Sequence, residues 1–81
     1  MKMPIIKKLV ENASFEELEN AELAILDEQQ PEIEVEGDDE GEQLTHIMAA
    51  IWIKKEMEKE NIPFPKALRT YTQKVRVSIG G

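Results

Sequence analysis

At 81 residues and 9.3 kDa, with no cysteine, the chain reads as a single domain, residues 1–81, that holds neither disulfides nor thiolate metal sites. Its formal net charge of −7 and pI of 4.7 argue against nucleic acid as the main partner, because such binding draws on accumulated positive potential. Domains this small bury only about 60–65% of their unfolded surface, so close helix packing or association with another chain has to supply the stability.

The first helix is expected near residues 4–12. Pro4 suits a first helical position, and Ile5, Ile6, Leu9 and Val10 fall on one face. The same start, "MKMPIIKKLVEN", is not expected to be a targeting segment, since Lys7 and Lys8 interrupt its apolar run. Next, Ser14 and Glu17 match the S-x-x-E capping box and open a second helix over 15–29. Phe15, Leu18, Glu22, Ile25, Leu26 and Gln29 form its stripe, and Pro31 stops it.

"PEIEVEG" then alternates acid and β-branched residue, which predicts an extended acidic linker over 31–37 with Ile33 and Val35 turned inward. Its edge, lined by glutamates, discourages strand pairing. A third helix follows over 40–61. It is apolar around much of its girth from Leu44 to Ile53, as a helix buried on several sides is. The prolines of "NIPFPKALRTYTQKVRVSIGG" enforce a connection, and a fourth helix runs over 65–78 with Phe64, Leu68, Tyr71 and Val75 at helical spacing. The alternation Val75, Val77, Ile79 permits a terminal strand instead, but the longer pattern favours helix. The fold expected is therefore all-α, a small bundle of about four helices. Its core is Leu18, Ile25, Leu44, Ile47, Met48, Ile51, Leu68 and Tyr71. The longest apolar run, Ile47 to Ile53, is seven residues, far below the ~20 that span a bilayer. We expect a cytoplasmic protein without membrane contact.

Charge is segregated along this plan. Residues 1–10 carry three lysines; residues 11–42 carry fourteen Asp/Glu and no Lys or Arg; residues 43–81 carry seven Lys/Arg against three glutamates. Such a layout invites the halves to attract each other, within one molecule or between copies.

The acidic stretch "EVEGDDEGEQLTHIMAAIWI" sets dense negative charge directly against the most apolar segment. As a calcium loop it places Glu36, Asp38 and Glu40 at positions one, three and five, with Gly41 at six. Position twelve is then Ile47 in place of the bidentate glutamate, and position eight is Gln43. A helix cap explains the stretch better. Asp38 or Asp39 can cap the third helix, and the neighbouring carboxylates offset its positive end. At the other end, Lys54, Lys55 and Lys59 suit its negative terminus.

Little else carries chemistry. His46 is the single histidine and can pair weakly with Glu42, four residues earlier. As a general base or ligand it lacks a second ligand or nucleophile, so it reads as a histidine at the edge of the core. Ser14 serves as a cap, no phosphate loop follows Gly37 or Gly41, and neither an enzyme nor a cofactor is expected. Lys66, Arg69 and Arg76 form a basic face on the fourth helix. With Trp52 and Ile53 of the third helix they are the candidate partner contacts.

The runs "GDDEGEQLTHIMAAIWI" and "ALRTYTQKVR" resemble a family of small uncharacterised bacterial proteins, mainly from the Bacteroidetes, known as a domain of unknown function. The resemblance covers most of the chain. It implies a cytoplasmic bacterial protein and brings no activity or site residues with it.

Taken together, the residues point to a non-catalytic, self-associating protein-interaction module, a homodimer or the partner of another protein. The alternative is a small-ligand or divalent-cation sensor using the acidic loop 36–42 and His46. Calcium separates the two. If the loop is a cap, millimolar calcium leaves the melting temperature nearly unchanged, whereas a site filled at one hundred times its Kd would stabilise the fold by about 2.7 kcal/mol.

Overall fold

The computed structural model describes the backbone of residues 2–80 and the side chains of residues 2–74. Four helices make up the fold: α1 (Met3–Asn12), α2 (Phe15–Leu26), α3 (Glu40–Glu60) and α4 (Phe64–Gly80). The described residues contain no strand. The terminal alternation at Val75, Val77 and Ile79 is thus helical backbone, with side chains outside the described residues.

Helix α3 is the hub. It packs against α1, α2 and α4, which touch one another little. The reason is in its sequence: His46, Ile47, Ala49, Ala50 and Ile53 are all buried, so apolar or small side chains face several directions and no single stripe can satisfy them. Alanines at the contacts, with Ala21 of α2 and Ala67 of α4, let helix backbones approach closely. These small residues were not among the expected core, nor were Ile6, Leu9 and Val10 of α1. Of the expected core, Leu18, Ile25 and Ile47 are buried, while Leu44, Ile51, Leu68 and Tyr71 pack against it half-buried. Met48 departs from expectation, being 52% exposed. Three neighbours cover three sides of α3, and Thr45, Met48 and Lys55 lie on the side left open.

The caps are made largely as the sequence predicts. Ser14 Oγ accepts from the Glu17 amide at 3.1 Å and Glu17 Oε1 from the Ser14 amide at 2.9 Å. Asp39 Oδ1 accepts from the Glu42 amide at 2.7 Å. The end of α2 differs, falling three residues before Gln29. Glu28 takes the left-handed conformation (φ 58°), and the Gln29 and Glu28 amides donate to Ala24 and Ile25 carbonyls. This is a Schellman stop built on a glutamate where glycine is usual, and so it leaves no signature in the sequence. Leu26, expected on the inward stripe, is 62% exposed. Asn61 closes α3 in the same way (φ 55°), at a residue type that tolerates it better.

Lys54 also acts differently from expectation. It serves α1 rather than the end of its own helix. Its ammonium donates to the carbonyls of Val10 (3.2 Å) and Ala13 (2.7 Å) and lies 5.6 Å from the centre of the Phe15 ring. Helix α1 has no basic residue in its last turn, so a cation from α3 meets its negative end.

Between α2 and α3 the linker alternates as predicted: Val35 is buried and Ile33 half-buried, while Glu32, Glu34 and Glu36 face solvent. Its last stretch lies hard against the start of α3. A Cβ on Gly37 would sit 2.8 Å from Gln43 Cγ and 2.9 Å from the Gln43 amide nitrogen. Gly37→Ala should therefore lower stability by about 1–3 kcal/mol through overpacking. Gly41→Ala, which meets only Asp39 Oδ1 at 3.3 Å, should change it by less than about 1 kcal/mol. Urea unfolding of the two variants checks the contrast.

Candidate functional site

The polar centre of the molecule lies where α1, the linker and α3 meet. Gln43 and His46 fall on neighbouring turns of α3 and both reach the linker. Gln43 Nε2 donates to the Val35 carbonyl at 3.0 Å. His46 Nδ1 donates to the Glu36 carbonyl at 2.9 Å, and its Nε2 accepts from the Lys2 amide at 3.1 Å. That pattern assigns the neutral tautomer with the proton on Nδ1. The ring is completely buried and both nitrogens are engaged by backbone, so its work here is to join two segments to α3. Lys2 is the residue before α1 and has no side-chain cap of its own; the histidine takes up its free amide instead.

This is more central than the core-edge position expected for His46. The weak pairing with Glu42 does not form, since the backbone occupies both ring nitrogens. Glu42 Oε1 is buried without a hydrogen-bond partner. Around the histidine, Lys2 meets Asp38 at 4.0 Å and Lys8 meets Glu36 at 3.7 Å. Both pairs are well exposed, and pairs of that kind stabilise by about 0–1 kcal/mol. Among the described residues no three His, Asp or Glu side chains converge as a metal-holding group.

Cavities flank the linker on more than one side, and two of them border α1 or α3. One of about 260 Å³ lies between it and α1, with a largely apolar floor. The other, about 530 Å³, lies between the end of α2, the linker and the start of α3, and carries Glu28, Glu32, Glu34 and Glu40.

The predicted contact residues are scattered. Lys66 and Arg69 are exposed on α4, and the side chain of Arg76 lies outside the described residues. Trp52 is half-buried, with the Tyr71 ring 5.4 Å away and the Lys74 ammonium 5.5 Å from its own ring. Ile53 has no exposed surface; it is a core residue and offers nothing to a partner. None of Lys66, Arg69, Trp52 and Ile53 joins the acidic loop. Conversely, Gln43 carries no structural expectation and Lys54 is expected at the end of its own helix; the partners of both are backbone carbonyls that any residue would supply.

The chain belongs to a family of unknown function, DUF6952, which matches residues 1–80. The resemblance seen in "GDDEGEQLTHIMAAIWI" is thereby borne out at the level of the family. No curated protein and no solved structure matches the chain.

His46→Leu keeps most of the buried volume and removes both hydrogen bonds. It should cost about 1–3 kcal/mol, the penalty for stranding a buried carbonyl. In hydrogen exchange, the loss should appear first at the start of α1 and around Glu36.

Proposed function

We propose that this member of the family is a non-catalytic protein-interaction module that self-associates as a homodimer and presents separate acidic and basic surfaces. One observation carries the reading: the opposite charges of the chain remain largely unneutralised within the molecule. Among the described residues, only Glu36 and Asp38 of the acidic 11–42 stretch meet a lysine, and both lysines lie at the start of the chain. Lys66 and Arg69 stay exposed on α4 without an acidic partner among the described residues. Helices α2 and α4 make little contact with each other, which keeps the two surfaces apart in one copy. A second copy related by twofold symmetry can bring them together.

The open side of α3 supports the same arrangement. Met48 is exposed and Trp52 half-exposed one turn on, between Thr45 and Lys55, a small apolar centre of the kind that interfaces bury within a polar rim. A cytoplasmic, bacterial setting belongs to this proposal. It draws on the cysteine-free composition and on the sequence resemblance.

Light scattering at micromolar concentration should give about twice 9.3 kDa. Met48→Asp should weaken the dimer and leave the fold intact, because its side chain is already half in water. Ile53→Asp would bury a charge and unfold the chain instead. Raising salt to 1 M, where charges are screened beyond about 3 Å, should also weaken association. A well-folded monomer at high concentration would sink the proposal.

A further inference from the structure

We infer that the cavity between α1 and the linker is a docking pocket for one apolar anchor residue carried on a basic segment of a partner protein. The inference rests on the interaction-module reading and gives that module a specific point of recognition. The cavity carries it, and the surrounding charge sets the class of occupant.

Its floor is Ile5, Leu9, Ala13 and Ile33, all buried or half-buried apolar side chains. At about 260 Å³ it falls below the ~300–1,000 Å³ of small-molecule sites. That volume has ample room for one apolar side chain. The pocket is also built in advance. The linker wall is fixed by the hydrogen bonds from Gln43 to Val35 and from His46 to Glu36, and Gly37 lets it lie close against α3. A preformed wall lowers the ordering cost of binding.

The rim decides the sign of the partner. Glu34, Glu36 and Lys8 all line the pocket; Lys8 meets Glu36 at 3.7 Å, and Glu34 has no cationic partner among the described residues, which leaves the rim with one carboxylate in excess. Glu32, two residues before Glu34, lies outside the pocket and adds to the negative potential beside it. A segment with lysine or arginine on either side of its anchor meets these carboxylates; an acidic segment is repelled. A second copy is poorly equipped for the role. The apolar residues beside Lys66 and Arg69 on α4 are Leu68 and Tyr71, which pack against the core of their own chain.

The test is amide NMR on the full chain, titrated with the acetylated, amidated peptide Lys-Lys-Leu-Lys-Lys. Shifts should centre on Leu9, Ile33 and Glu34. Replacing the leucine by alanine should weaken binding roughly tenfold to fiftyfold, the value of the extra buried carbons. The acidic analogue Glu-Glu-Leu-Glu-Glu should not bind. Asn12→Trp, at the exposed rim, should fill the pocket and abolish the leucine preference, and Glu34→Gln should weaken binding several-fold. Glu19→Gln, the same charge change on an exposed residue of α2, should not. Equal affinity for the leucine and alanine peptides, or equal losses with Glu19→Gln and Glu34→Gln, would overturn the inference and indicate diffuse attraction alone. Light scattering on the same samples keeps the two readings apart. A monomer that still prefers the leucine peptide retains the pocket and removes self-association; a dimer indifferent to it does the reverse.

Discussion

The central position of α3 follows from a surface that no single neighbour can cover. Apolar and small side chains point from it toward α1, α2 and α4, and water is a poor environment for all of them. Three shorter helices, each offering one side, solve that problem only by gathering around it. They have little reason to touch one another, and they do so little. The fold therefore resembles spokes on an axle more than a bundle with a shared interior.

Apolar burial places the helices, but it is indifferent to where along α3 each one stops. Polar side chains of α3 set that position. Gln43 and His46 hold the linker, His46 and Lys54 hold the two ends of α1, and each reaches a backbone group. Backbone groups are costly to leave unpaired when buried, so these links select one register among several that would bury similar area. With the linker held this way, the acidic residues that alternate along it remain on the outside.

Most of the architecture was legible because it depends on local signals. The Ser14–Glu17 box, the Asp39 cap, Pro4 and the alternation of residues 31–36 each act within a few residues of themselves. What was hidden depends on contacts distant in sequence. No pattern marks Lys54 as the partner of Val10 and Ala13, because a carbonyl has no residue identity. The stop at Glu28 was missed because its left-handed backbone sits on a residue type that rarely adopts it. Met48 was assigned to the core because an all-round apolar helix does not say which side will be left uncovered. The candidate site was less legible than the fold for the same reason. His46 was visible as a lone histidine, but its two partners are main-chain groups 10 and 44 residues away, and the cavity walls come from two separate segments.

The borrowed ends of α1 bear on the order in which the chain can fold. A ten-residue helix is too short to persist alone in water, and α1 takes both its terminal partners, the imidazole and the ammonium, from α3. During synthesis α1 is made well before either. Its end partners arrive only with α3, so α1 settles together with a segment made more than 40 residues later. A ribosome that paused within α3 would leave the apolar face of α1 uncovered, and that interval is when a nascent chain of this kind is most open to capture by chaperones or to aggregation.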